Sequence, residues 1–338
     1  MKLERARFYT RQGDHVRCRL CPHGCLIKEG KKGICGVRQV MEGELYTLNY
    51  GLCASIADDP IEKKPLYHFY PGRKILSIGT WGCNFRCRFC QNWTLAHGDV
   101  SGGGADILKP ADILDHLNKD FKDSIGVAYT YNEPTIWYEY VHDTAKIIKD
   151  HGFRNVLVTN GFISHEALKE LSPFIDALNI DLKSFNDDFY RRYCDGSLEA
   201  VKKTIEYSVS RFHLEVTTLI IPTLNDTADE MVSLASWLAG LDPDIPLHLS
   251  RYFPHYQLPL PPTPLETLEQ ARNLAREKLN YVYVGNVPES DGYSDTICPR
   301  CQNLLIRRRG YRTLLVGMDE ERCNNCGLHL PLYGKNSA

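Results

Sequence analysis

Short apolar runs alternate with segments of helical periodicity between residues 74 and 285. The apolar runs have the length of buried strands and cover 74–78, 125–130, 155–159, 177–182, 212–221, 246–250 and 281–285. The intervening segments repeat apolar residues every three or four positions, at 111–121, 136–149, 164–174, 198–210, 227–238 and 265–279. Repeated strand–helix units predict a parallel sheet with right-handed crossovers. We therefore predict an α/β fold, an open partial (β/α)6 barrel of the TIM type.

Thirteen cysteines add metal chemistry to this picture, because most of them fall into groups with the spacing of metal ligands. The groups divide the chain into a Cys-rich metal-binding segment at 1–73, the barrel at 74–290 and a zinc ribbon at 291–338. Cysteine pairs this close together favour metal sites in a reducing cytoplasm over disulfides. Cys53 stands alone, and we expect a small buried apolar side chain there.

The central group consists of Cys83, Cys87 and Cys90 and directly follows the apolar run at 74–78. It is therefore predicted to lie on a loop at the carboxyl end of a strand. Three thiolates can hold three irons of a 4Fe–4S cubane, whose usual ligand set is four cysteines, and leave the fourth iron open. A structural zinc site would need a fourth ligand close by in the sequence, which this stretch does not offer.

The N-terminal group can be interpreted in three ways. Its four cysteines could close a tetrahedral zinc site, with His23 as a substitute ligand, hold an auxiliary iron–sulfur cluster, or remain free thiols. Thiolates suit both zinc and iron, so ligand softness does not decide. We favour zinc for this set, which consists of Cys18, Cys21, Cys25 and Cys35.

The C-terminal group has two C-x₂-C pairs around a hairpin-like stretch, which is typical of a zinc ribbon. The predicted zinc ligands are Cys298, Cys301, Cys323 and Cys326. A run of three arginines at 307–309 lies between the pairs. We expect a solvated strand face there, because the net charge of the chain gives nucleic-acid binding no support.

Polar residues follow the apolar runs repeatedly, and functional groups of parallel α/β folds gather at these carboxyl ends. Capping of the following helices explains some of them but not Glu133 or Lys183. Strand alternation also places Asp181 and Lys183 on one face. The strand-end residues of interest are Asn132, Glu133, Thr159, Asn160, Asp181, Lys183 and, later in the chain, His248.

Charge and hydropathy exclude other classes of protein. The net charge of −2 and pI near 6.6 give no overall field that would attract nucleic acid or a membrane surface. No apolar run approaches the roughly 20 residues that a membrane span requires. The first residues lack the apolar core of a signal peptide, so we expect a cytoplasmic location.

The stretch Gly82-Cys83-Asn84-Phe85-Arg86-Cys87-Arg88-Phe89-Cys90 resembles the cluster motif of the radical S-adenosylmethionine (radical SAM) superfamily. That resemblance implies that the open iron binds the amino and carboxylate groups of S-adenosylmethionine. An electron from the cluster then splits the sulfonium and releases a 5′-deoxyadenosyl radical. It further implies an external reductant such as flavodoxin or ferredoxin.

Residues 74 to about 256 resemble the activating enzymes of glycyl-radical enzymes, such as pyruvate formate-lyase activating enzyme. Tyr131-Asn132-Glu133-Pro134 matches their Gly-Gly-Glu-Pro motif, with both glycines replaced. The sequences at 159–161 and 181–183 match their Thr-Asn-Gly and Asp-Leu-Lys motifs. The resemblance implies that the cofactor is bound by Asn132, Glu133, Thr159, Asn160, Asp181 and Lys183.

Nearly the whole chain carries a set of motifs, which comprises the N-terminal Cys-x₂-Cys-Pro-His-x-Cys, the central motif and Tyr-Val-Tyr-Val-Gly-Asn-Val. In these motifs it resembles the radical SAM enzymes of the AmmeMemoRadiSam system. This resemblance implies AMMECR-like or Memo-like protein partners but supplies no reaction. We expect an enzyme that abstracts hydrogen from a substrate, with a protein as one candidate. The alternatives are a zinc-ribbon protein that binds nucleic acid or protein around a structural cluster, and an electron-transfer protein.

Overall fold

The structure, a computed structural model, describes residues 3–98, 104–288 and 292–334. Its N-terminal segment folds into two small antiparallel sheets, with strand orders β1-β6-β5 and β2-β3-β4. Their strands are β1 (Glu4–Arg5), β2 (Tyr9–Gln12), β3 (His15–Cys18), β4 (Leu26–Lys28), β5 (Arg38–Met41) and β6 (Glu44–Thr47). Val16, Leu20 and Val40 from this segment are buried in the same apolar core as the barrel strands. The Cys-rich segment therefore packs as part of the main body.

One large sheet dominates the fold and confirms the predicted α/β architecture. Seven strands run parallel in the order β16-β15-β14-β13-β12-β11-β9, and β8 pairs with β9 in the antiparallel direction at one edge. A small pair, β7 (Leu52–Cys53) and β10 (Asp106–Ile107), lies outside it. The large sheet consists of β8 (Ser55–Pro60), β9 (Lys74–Gly79), β11 (Ser124–Tyr129), β12 (Arg154–Thr159), β13 (Ala177–Asp181), β14 (His213–Ile220), β15 (Leu247–Arg251) and β16 (Val282–Gly285).

Most helices lie between the parallel strands where the periodicity predicted them, but two short ones, Trp93–Ala96 and Asp187–Phe189, were not predicted. The helices are α1 (Trp93–Ala96), α2 (Pro110–Lys119), α3 (Tyr138–Asp150), α4 (His165–Leu171), α5 (Asp187–Phe189), α6 (Leu198–Ser208), α7 (Ala228–Leu241) and α8 (Leu265–Arg276). The hydroxyls of Ser164 and Thr227 cap α4 and α7 by accepting hydrogen bonds from backbone N–H groups. In the described ranges, no helix is long and apolar enough to cross a bilayer.

The edge strand β8 was missed, because the sequence analysis placed the start of the sheet at residue 74. Its acidic residues obscure the strand pattern, yet each of them has a cationic partner. Asp58 binds Lys74 at 2.8 Å, and Asp59 binds the buried Lys64 at 2.7 Å. These ion pairs allow a charged strand to lie against the barrel.

The C-terminal segment forms a three-stranded sheet and a short hairpin, with β17 (Thr296–Ile297), β18 (Leu304–Arg309), β19 (Arg312–Leu315), β20 (Met318–Asp319) and β21 (Arg322–Cys323). The expected solvated face at 307–309 is wrong for its middle residue. Arg308 is buried, places its guanidinium 4.3 Å from the Tyr67 ring centre and donates to the Tyr67 carbonyl at 2.7 Å. This arginine attaches the ribbon to the barrel.

The expectation that His248 would lie at a functional strand end is also wrong. His248 is the second residue of β15, and its Nε2 lies 2.6 Å from a carboxylate oxygen of Glu215. Glu215 is fully buried and also accepts hydrogen bonds from His213, from the Tyr67 N–H and from the His68 N–H. These residues form a buried polar network near the amino ends of the strands, away from the cysteine loop.

Candidate active site

The loop that carries the central cysteines begins where β9 ends and is held against the N-terminal segment. Gly82 has a φ of +95°, and an added Cβ would lie 2.7 Å from the Cys35 carbonyl oxygen and from a methyl carbon of Val37. Only glycine meets both demands without rearrangement. Asn132 fixes the same loop, because its side chain accepts from the Thr80 N–H at 3.1 Å and donates to the Gly82 carbonyl at 2.8 Å.

Cys83, Cys87 and Cys90 line one side of a cavity of about 550 Å³ at the carboxyl ends of the strands. Burial raises the pKa of Cys83 well above its usual range and that of Cys90 to about 11. An interaction with the neighbouring buried Cys194, together with burial, does the same to the pKa of Cys87. The thiols are therefore protonated in the metal-free protein, and binding of a metal has to displace those protons.

The spacing of these three thiols suits separate metal atoms. Their sulfur atoms do not all lie within 4.8 Å of one another, as thiolates on one zinc would. In a cubane each thiolate ligates a different iron, which requires a wider spacing. The donor set and its spacing fit a 4Fe–4S cluster held by Cys83, Cys87 and Cys90.

Glu133 connects two strand ends beside the cysteine loop. It is fully buried and accepts hydrogen bonds from the Thr159 hydroxyl at 2.7 Å and from the Asn160 N–H at 2.8 Å. The Thr135 N–H donates a third bond at 2.9 Å. Burial raises the pKa of this carboxyl, although the hydrogen bonds oppose the shift. Glu133 therefore positions the residues that follow β12.

Asn160 connects the end of β12 to the cysteine loop. Its side-chain amide donates to the Asn84 side-chain oxygen at 2.8 Å and lies 3.8 Å from the Cys83 sulfur. Its own oxygen accepts from the Phe162 N–H at 2.9 Å. The structure thus brings Glu133, Thr159 and Asn160 together with Cys83 in one connected group.

Asp181 and Lys183 line the same cavity at the end of β13. The Lys183 ammonium is 3.0 Å from a carboxylate oxygen of Asp181. Burial opposes the charge on Lys183, but the carboxylate of Asp181 raises its pKa well above the usual range. The site therefore holds a permanent cation beside the cysteine loop, which can meet an anionic group of a ligand.

Sequence reasoning predicts a loop near the cluster at 59–69 but does not single out its Lys63 and Lys64, which line one wall of the cavity with Tyr131. The Tyr131 hydroxyl donates to Asp59 at 2.6 Å, and the Lys64 ammonium lies 4.6 Å from the Tyr131 ring centre. The missed strand β8 supplies Asp59, so this wall is built from a segment that was predicted as a loop. A pair of lysines between two prolines at 60–65 was the available signal.

The C-terminal cysteines form a compact group, in which all four sulfurs lie within 4.8 Å of one another. Cys298 and Cys326 are 3.6 Å apart at sulfur, as are Cys301 and Cys323. Zn–S bonds of about 2.3 Å in a tetrahedron place neighbouring sulfurs about 3.8 Å apart. This geometry fits a single tetrahedral metal ion. The four N-terminal cysteines do not form such a group.

Comparisons with known proteins agree with this geometry. Residues 77–238 match the profile of the Radical SAM superfamily. An uncharacterised protein of Methanocaldococcus jannaschii is 43% identical over 96% of this chain and 98% of its own length. A putative glycyl-radical enzyme activating enzyme of the same archaeon is 30% identical over 52% of this chain and 67% of its own. The chain belongs to the radical SAM superfamily.

Membership in the radical SAM superfamily makes the protein an enzyme and implies a 4Fe–4S cluster and S-adenosylmethionine as its cofactors. A solved domain of pyruvate-formate lyase-activating enzyme from Bacteroides vulgatus is also similar, with 23% identity and a TM-score of 0.42. The similarity covers 47% of this chain and 98% of that domain.

Proposed function

We propose that this radical SAM enzyme cleaves S-adenosylmethionine reductively at a cluster held by Cys83, Cys87 and Cys90 and abstracts hydrogen from a protein substrate. The observation that carries the proposal is the cavity that these thiols line together with Lys183, Glu133 and Asn160. When bound, the cluster supplies the electron for cofactor cleavage. An external flavodoxin or ferredoxin supplies that electron to the cluster. The relative named as a glycyl-radical enzyme activating enzyme supports a protein substrate.

The chain's own residues bind and orient the cofactor in this proposal. Lys183 offers its ammonium to the methionyl carboxylate in a charge-assisted hydrogen bond. Asp181, with 37% of its side chain exposed beside the cavity, accepts from ribose hydroxyls. Glu133 and Asn132 hold the strand-end turn, so that the amino group of the cofactor meets a fixed polar surface. Thr159 and Asn160 fix the position of Glu133 and of the loop at Cys83.

Two further assignments belong to the proposal. The C-terminal thiols bind one zinc, because their sulfur spacing matches a tetrahedral site. The enzyme has an AMMECR-like or Memo-like protein as a partner, a class that the whole-chain resemblance supports. The enzyme acts in the cytoplasm, where the thiols remain reduced.

Anaerobic incubation of the reduced, reconstituted enzyme with S-adenosylmethionine tests the reaction, with 5′-deoxyadenosine measured by chromatography. We expect the wild type and Cys53→Ala to form it and Cys87→Ala to form none. Cys53 is a matched control, because it is equally buried but lies outside the three cysteine groups. Equal product from Cys87→Ala and wild type would refute the assignment.

A further inference from the structure

The four N-terminal cysteines surround a cavity of their own, separate from the cavity at the strand ends. Leu20, Ile27 and Arg38 complete its lining, and the volume of the cavity is about 20 Å³. The four thiols therefore face one small shared space in the interior of the segment. The cysteines that line the cavity are Cys18, Cys21, Cys25 and Cys35.

The sulfur spacing in this cavity differs from that of the C-terminal site in the same molecule. No three of the N-terminal sulfurs lie within 4.8 Å of one another, whereas all four C-terminal sulfurs do. One zinc draws its four thiolates to about 3.8 Å from each other. A cubane attaches each thiolate to a different iron on its outside and holds the sulfurs farther apart. The wider spacing of the N-terminal sulfurs therefore favours a 4Fe–4S cluster over a single zinc ion at this site.

Arg38 provides a second, independent observation. It is 1% exposed, and its terminal nitrogens bind Glu139 at 2.6 Å and the Arg7 carbonyl at 3.0 Å. Its Nε has no hydrogen-bond partner within the described residues. A buried N–H without an acceptor is costly, and a bound cluster has sulfur atoms that can accept from it. The positive charge also offsets part of the charge of four thiolates.

We propose that Cys18, Cys21, Cys25 and Cys35 bind a second 4Fe–4S cluster with a full set of cysteine ligands. This replaces the zinc that the sequence analysis favoured for the segment. With four thiolates no iron is left open, so this cluster carries electrons and does not bind S-adenosylmethionine.

The second cluster would lie in a segment that contacts the loop of the first cluster, and this part of the inference rests on the proposed function. His23, between Cys21 and Cys25, places its Nε2 2.7 Å from the Asn84 carbonyl oxygen, next to Cys83 in the chain. The Arg86 side chain also donates to the Ile34 carbonyl, next to Cys35. Two reduced clusters joined by contacts this short are expected to interact magnetically.

Metal analysis and electron paramagnetic resonance (EPR) of the full chain, reconstituted anaerobically and reduced with dithionite, test the proposal. The informative variant is the triple Cys83→Ala, Cys87→Ala and Cys90→Ala, which leaves the N-terminal segment intact. We expect about eight irons in the wild type and about four in the triple variant, which should retain a 4Fe–4S signal narrower than that of the wild type. The variant should hold about one zinc, at the C-terminal site.

A triple variant without iron, with or without a second zinc, would overturn the second cluster, as would iron with the spectrum of any other cluster type. Failure of the proposed function gives a different result, since the triple variant would then lose no iron relative to wild type. Adding Cys21→Ser to the triple variant should remove the remaining iron and keep the zinc. The retained zinc would show that the chain still folds.

Discussion

Replacing Lys183 by alanine removes the permanent cation of the cavity and tests its proposed contact with the cofactor carboxylate. A charged hydrogen bond contributes about 1.5–3 kcal/mol. Since 1.4 kcal/mol is a factor of ten, Lys183→Ala should weaken binding of S-adenosylmethionine about 12- to 150-fold. The Lys183 side chain is only 15% exposed, so water cannot fully replace its ammonium group. Iron content should not change, because Lys183 ligates no metal.

Equilibrium dialysis of labelled S-adenosylmethionine against the anaerobic holoenzyme measures this affinity directly. Lys63→Ala is the matched control, because Lys63 lines the same cavity while its partner Asp59 keeps a second lysine, Lys64. We expect the control to bind within about twofold of wild type, as for an exposed ion pair. An unchanged affinity in Lys183→Ala would refute the carboxylate contact and leave Lys183 as a surface partner of Asp181.

Three further predictions concern the zinc, the buried network and the cysteine loop. Cys323→Ser with Cys326→Ser should release about one zinc and lower the melting temperature, because structural zinc contributes folding energy; a wild type without zinc would contradict this. Burial lowers the pKa of His68 to about 3, so the free energy of unfolding should fall by about 1.4 kcal/mol for each pH unit below about 6.5. Gly82→Ala should lower iron content at the central site, because the added methyl group collides with Cys35.

The sign of the pH prediction follows from both members of the buried network. The unfolded chain binds a proton at His68 near pH 6.5 and one at Glu215 near pH 4.5, whereas the folded pKa values of both groups are lower. For Glu215, burial opposes this shift, but hydrogen bonds from His213 and His248 lower its pKa well below the usual range. Stability is therefore full above these values and falls as the pH falls. Urea unfolding of His68→Gln should show a flatter pH dependence between pH 6.5 and 4; an equally steep one would contradict it.

The barrel could be predicted from the sequence because its parallel strands are buried on both faces and appear as continuous apolar runs. The prediction at 155–159, for example, corresponds to the strand Arg154–Thr159. Strand β8 escaped prediction because its two aspartates have low strand propensity, and most of the N-terminal strands escaped because they are only two to four residues long. They are stabilised by long-range contacts, such as the ion pair of Asp58 with Lys74, which periodicity does not reveal.

In the candidate site, too, the local sequence pattern predicts some features, whereas others depend on long-range contacts. Spacing and strand position were enough to place Cys83, Cys87, Cys90 and Lys183 around one cavity. The sequence could not show that the Glu133 carboxylate accepts hydrogen bonds from Thr159 and Asn160, because those bonds connect residues at the ends of different strands. The wall of Lys64 and Tyr131 depends on the missed strand. The sequence also could not distinguish zinc from iron at the N-terminal cysteines, because only the sulfur spacing separates them.

The central claim is that S-adenosylmethionine binds the open iron of the cluster at Cys83, Cys87 and Cys90. The most direct measurement is electron–nuclear double resonance of the reduced holoenzyme with S-adenosylmethionine that carries ¹⁷O in its carboxylate. We predict a hyperfine coupling between the labelled oxygen and the cluster, which is lost in Cys87→Ala. The account would be contradicted if dialysis shows that the cofactor saturates the enzyme and the labelled oxygen nevertheless shows no hyperfine coupling to the cluster.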